Sequence, residues 1–167
     1  GNDSDYIRWA KEAGAGDCIV IPAAEGPGTV RLVLVDGNGQ PANEELVQDV
    51  YNYIVSPQDR SRRLLPTACA KLSCEPAATV KVAYTITGLI YDRTTNIEQI
   101  RADFTEAVKA VYAVAKQEGI LRYNDVRPVI SDLAGVEDFD TFLMDGEMKN
   151  IMLGIDKYPE TGTLDFG

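Results

Sequence analysis

The chain contains no histidine. That absence removes Ser-His-Asp triads, Cys-His nucleophile pairs and histidine-ligated zinc. General-base chemistry near neutral pH is left mainly to carboxylates and lysines. Cysteine is scarce, with only Cys18, Cys69 and Cys74, and an odd, small number does not make a secreted disulfide framework. Cys69 and Cys74 lie five positions apart in a stretch that reads as extended. An odd separation in a strand sends side chains to opposite faces, so the two neither bridge nor share a zinc and are expected as buried free thiols. Long apolar runs are missing too: nothing approaches the roughly 18 residues of a membrane-spanning helix. The polar, acidic start Gly1-Asn2-Asp3-Ser4-Asp5 is no signal peptide, and a reducing cytoplasm is the expected place of synthesis. A chain that opens without Met is expected to be a fragment or a trimmed form.

What the chain does have is acid. Its 26 acidic and 16 basic side chains give a net charge of −10. Such a balance repels phosphate backbones and anionic membrane surfaces, so neither nucleic-acid binding nor membrane insertion is expected. The remaining composition is that of an ordinary globular protein, with 45% apolar and 25% charged residues. At 167 residues the chain can bury a core without a metal or disulfide staple.

Along the chain, Ser4 or Asp5 is placed to cap a short helix reaching about Ala13 and ended by Gly14-Ala15-Gly16. Asp17 to Ala23 and Thr29 to Val35 read as strands, separated by the turn Glu25-Gly26-Pro27-Gly28. Asn43 caps a helix with Glu44 and Glu45 in its first turn, where negative charge suits the dipole. Leu46, Val47, Val50 and Ile54 share one face of it, and Ser56-Pro57 stops it. A basic connector, 58–66, leads to a third strand, Thr67 to Cys74.

Glu75-Pro76 marks the expected boundary, giving modules 1–75 and 76–167. Beyond it, Val80, Val82, Tyr84 and Ile86 alternate with more polar or smaller residues in a long strand that can reach Tyr91. Thr95-Asn96-Ile97-Glu98 reads as a capping box opening a helix to about Gln117, with Ile97, Ile100, Phe104, Val108, Val111 and Ala115 as its apolar stripe. A further helix starts at Asn124, with Pro128 assigned to its first turn and Gly135 at its end. Val136 to Met144 and Thr163 to Phe166 read as strands, and Asp145-Gly146 as a hairpin turn. The order α-β-β-α-β then β-α-α-β-β predicts an α+β fold of two small modules, each a mixed or antiparallel sheet with helices on one face.

No constellation in this pattern forms an active site. Asp132, Glu137, Asp138, Asp140 and Asp145 gather near the C-terminal hairpin, and period two places Asp138 and Asp140 on one strand face. They read as a solvated edge that deters edge-to-edge pairing, with a carboxylate dyad or cation site as the sharper alternative. Asp36-Gly37-Asn38-Gly39-Gln40 echoes a calcium loop, but Pro41 holds the sixth position and Val47 the twelfth, so it is a turn. Gly14-Ala15-Gly16 and Gly26-Pro27-Gly28 lack the strand–loop–helix order of a phosphate cradle. Arg60, Arg62 and Arg63 are the one basic cluster: an exposed connector, a patch against an acidic neighbouring subunit, or a nucleic-acid contact. Tyr6 and Trp9, three apart on a helix, and Tyr51 with Tyr53 read as core aromatics first and contact aromatics second. No cofactor is expected.

Several segments taken in order carry a resemblance. They are Asn2-Asp3-Ser4-Asp5-Tyr6-Ile7-Arg8-Trp9-Ala10, Val20-Ile21-Pro22, Gly26-Pro27-Gly28-Thr29-Val30, Ser56-Pro57-Gln58-Asp59-Arg60-Ser61-Arg62-Arg63-Leu64-Leu65-Pro66 and Tyr158-Pro159-Glu160-Thr161-Gly162-Thr163. Across nearly the whole chain this resembles the C-terminal half of the phage baseplate J-like family. The resemblance implies a structural wedge component of a phage or prophage tail baseplate, made in the bacterial cytoplasm and partnered with other baseplate and tail proteins. It implies no catalytic residues. With the family's N-terminal portion absent, the isolated chain is expected to be a monomer or weak dimer. The alternatives are a carboxylate-dependent cell-wall or glycan-cleaving tail domain, or a receptor or adaptor module.

Overall fold

The computed structural model describes residues 2–66 and 71–167. The chain divides into two compact units, Gly1–Thr79 and Val80–Gly167.

The first unit opens with helix α1, Asp3–Glu12. Its cap is Asn2, two or three residues before the expected Ser4 or Asp5: the Asn2 side chain accepts from the Asp5 backbone N–H while the Asp5 carboxylate accepts from the Asn2 N–H. Asp3 and Asp5 then fall in the first turn, where they favour the helix dipole. Strands β1, Asp17–Pro22, and β2, Thr29–Val35, pair antiparallel with Cys18 opposite Leu34 and Val20 opposite Leu32. Helix α2, Glu44–Val55, is capped by Asn43 as expected and ends on Ser56 in the left-handed conformation. Strand β3, Lys71–Pro76, adds parallel to β2, so the sheet β1-β2-β3 is mixed. The expected start of this strand at Thr67, and Cys69 with it, lies outside the described residues.

Tyr6 and Ala10 of α1, Val50 and Ile54 of α2, and Cys18, Leu32, Leu34 and Leu72 of the sheet form one buried cluster. Each large apolar side chain there contributes about 1.5–3 kcal/mol relative to exposure. Gly16 sits where α1 hands over to the sheet. A Cβ at that position would lie 2.0 Å from the Asp36 carbonyl oxygen, so the chain can pass only without a side chain.

The second unit is built on β4, Ala78–Thr87, whose Val82, Tyr84 and Ile86 are buried and whose Lys81 and Ala83 are exposed, the alternation expected of a half-buried strand. The expected extension to Tyr91 is a separate strand, β5, Ile90–Tyr91, in another sheet. Helix α3, Ile97–Ala107, is capped by Asn96, not by Thr95. Asn96 accepts from the Gln99 N–H, which shifts the helix start by one residue. The expected single long helix divides at Val108 into α3 and α4, Lys109–Glu118. Ile100, Phe104, Val108 and Ala115 are buried as expected, but beyond the division Tyr112 faces inward while Val111 is only half-buried.

The two-residue strand β6, Ile120–Leu121, precedes α5, Tyr123–Ser131. Pro128 lies inside α5 rather than in its first turn. There it removes one backbone donor from a helix of little more than two turns. The expected strand from Val136 to Met144 is two strands. β7, Val136–Asp138, pairs with β5, and β8, Thr141–Met144, pairs antiparallel with β4, Tyr84 opposite Met144. Asp145 and Gly146, both with positive φ, close a two-residue turn in which Met144 and Glu147 exchange backbone hydrogen bonds. Positive φ at both central positions defines a type I′ turn. Strand β9, Ile151–Met152, pairs with β6, and β10, Lys157–Asp165, completes the order β10-β4-β8.

The core of this unit is aromatic. Phe104 meets Tyr84 edge-on at 4.9 Å between centroids and Phe166 at 5.5 Å, and Phe142 stacks on Tyr84 at 5.9 Å. Both units are sheets carrying helices, so the molecule is α+β.

Candidate interaction surface

The basic connector is a fixed feature of the first unit. Asp59 accepts from the Ser61 N–H and hydroxyl, and this caps a short 3-10 turn over Arg60–Arg62. Downstream, the Leu64 and Leu65 N–H groups both donate to the Ile54 carbonyl at the end of α2, and Leu65 is buried. The arginines therefore project from a base tied to the core at both ends. Arg62 Nε lies 3.5 Å from an Asp59 carboxylate oxygen, with the Arg62 side chain 83% exposed. Arg60 and Arg63 are exposed, and their side chains make no ion pair or hydrogen bond among the described residues.

Beside the connector lies an open cleft of about 540 Å³, lined by Ala13, Asp49, Asn52, Tyr53, Ser56, Arg62 and Leu64. Tyr53 closes one side by donating its hydroxyl to Glu12 at 2.5 Å. The hydrogen bond to that carboxylate raises the Tyr53 phenol above its ordinary value. Of the other expected aromatics, Tyr6 is buried in the core, edge-on to a half-buried Trp9 at 5.4 Å, and Tyr51 is half-buried.

The acidic residues near the C-terminal hairpin are dispersed in role. β7 ends at Asp138, and Asp140 lies beyond it in a bend, so the two do not share a strand face. Asp138 accepts from the Phe139 N–H, and Asp145 accepts from the Ala83 N–H at 2.8 Å, joining β8 to β4. Asp132, Glu137 and Asp140 are exposed. No group of metal-ligating side chains occurs among the described residues. Asp36 accepts from the Asn38 and Gln40 N–H groups, which closes the loop at 36–40 as a side-chain turn. No helix among the described residues is long and apolar enough to cross a membrane.

One surface was not anticipated from the sequence. Met148, Met152 and Ile155 are exposed to 59%, 75% and 81% on the segment around β9. Three apolar residues within eight positions are a signal in themselves, but a strand pattern would have put some of them inside.

Residues 1–69 match the Baseplate J-like central domain, and residues 82–167 match the Baseplate J-like protein C-terminal domain. The chain belongs to the baseplate J-like family. It is 24% identical to the uncharacterized protein YqbT of Bacillus subtilis (strain 168) over 98% of its own length and 47% of that protein. It is 23% identical to the phage-like element PBSX protein XkdT of the same strain, over 96% of its length and 46% of that protein. The chain thus spans about half the length of the curated relatives it matches. A chain in the six-fold-symmetrised cryo-EM structure of the anti-feeding prophage baseplate aligns with a TM-score of 0.49 at 9% identity, over 98% of this chain and 37% of that one.

Proposed function

We propose that this chain is the central and C-terminal portion of a structural, wedge-type component of a phage or prophage tail baseplate, and that it acts by holding other baseplate and tail proteins rather than by catalysis. The observation that carries this reading is the match to two consecutive domains of one family, in order, over 1–69 and 82–167. The name of the PBSX relative adds support for a prophage origin. Synthesis in the bacterial cytoplasm follows from such an origin.

The modules 1–75 and 76–167 are separately folding domains in this reading, and the isolated chain is a monomer or weak dimer. Arg60, Arg62 and Arg63 supply one contact surface. No cofactor takes part. The glycan-cleaving alternative has no comparable support, since Asp132, Glu137, Asp138, Asp140 and Asp145 are all open to solvent. An epitope tag on the full protein, followed by immunogold electron microscopy of induced particles, tests the placement: label is expected at the tail end. Label confined to heads, or absent from purified particles, contradicts it.

A further inference from the structure

The connector and the cleft beside it have a more specific chemistry than a generic contact. Resting on the reading above, we propose that they receive an acidic segment, carrying one apolar side chain, from a partner protein other than a second copy of this chain. The cations come first. Arg60 and Arg63 are exposed and unpaired among the described residues, although the chain carries ten more acidic than basic side chains. The other three arginines of the same unit have local carboxylates: Arg8 with Asp5 and Glu12, the half-buried Arg31 with Glu75, and Arg62 with Asp59.

Two free guanidiniums ride on a capped turn anchored through Leu64 and Leu65 to Ile54, so the backbone that carries them is already ordered. Such groups favour carboxylates, which they hold with paired, charge-assisted hydrogen bonds. The cleft adds the apolar requirement. Ala13, Tyr53 and Leu64 line it beside the polar Asn52, Ser56 and Arg62; an apolar side chain placed there would add binding energy that exposed ion pairs alone do not give, and Asp49, also in the lining, directs the segment's acids outward to Arg60 and Arg63 rather than into the cleft.

The choice of partner follows from net charge. A second copy brings a further −10 with whatever segment it docks, and like net charge opposes association. A polyanionic nucleic acid meets the same repulsion over a longer length. A separate protein offering a local acidic segment satisfies the arginines without that penalty.

The test places a photo-cross-linking amino acid, p-benzoylphenylalanine, at Gln58, which is exposed next to the Asp59 cap and leaves every arginine in place. The substituted full-length protein is incorporated into induced particles, irradiated, and the joined peptides are read by mass spectrometry. The expected product is a peptide of a different particle protein with an excess of Asp and Glu around an apolar residue. Its yield is expected to fall at least tenfold when Arg60→Glu and Arg63→Glu are introduced together, with the thermal midpoint of the purified protein unchanged. A cross-link to a second copy, to nucleic acid, or to a segment without acidic excess overturns the proposal, as does a yield indifferent to the charge reversal. If tagged protein still labels the tail end while the cross-link fails in any of these ways, the baseplate assignment stands and only the docking chemistry is wrong.

Discussion

Among single residues, Tyr112 carries a disproportionate share of the second unit's order. Its hydroxyl bonds the Tyr84 hydroxyl at 2.7 Å and the Thr161 hydroxyl at 2.8 Å, and both tyrosines are buried. Burial raises both phenols above their ordinary value, Tyr84 strongly, so they stay protonated and keep donating. Tyr112→Phe leaves the Tyr84 hydroxyl without this partner and is expected to destabilise by about 1–3 kcal/mol in urea denaturation. Tyr84→Phe on that background should then cost less than it does alone, the sign of a shared bond in a double-mutant cycle. Cys74 gives a pH dependence. Burial pushes its thiol up from 9.0 to about 12. The unfolded chain therefore loses this proton first, and the stability held by the protonated thiol is full below about pH 9 and lost as pH rises toward 12. Urea midpoints should fall over that window, and more steeply than those of Cys74→Ala.

At the level of elements, helix capping separates two readings of the same four residues. Thr95 and Asn96 are both competent caps, and local sequence alone favours the Thr95–Glu98 box. The fold uses Asn96 instead, bonded to Gln99 N–H at 2.9 Å. Asn96→Ala is expected to lower stability by about 1 kcal/mol, and Thr95→Ala by clearly less, both read from thermal or urea melts. Elements defined by local signals were legible: β2 coincides with its alternating run, and α2 with the Asn43 cap and the Ser56-Pro57 stop. Elements defined by distant pairing were not. β6 and β9 are two residues each and exist because Ile120 meets Met152 and Leu121 meets Ile151. The split of 136–144 into β7 and β8 likewise depends on which neighbour, β5 or β4, each half finds. The candidate surface divides the same way. Its arginines are visible as a charge cluster, but its cleft brings Ala13 to Tyr53 and Leu64, which lie forty or more positions further along the chain.

On the scale of the whole molecule, the two domain matches cover residues 1–69 and 82–167, most of the chain. Core aromatics, capped helices and a docked basic turn suit a part that must hold its shape among neighbours. The most direct measurement is electron microscopy of particles induced from a strain in which the gene is deleted. Tails with incomplete or missing baseplates are expected, restored when the full gene is supplied in trans. Normal tails with intact baseplates from the deletion strain would contradict it.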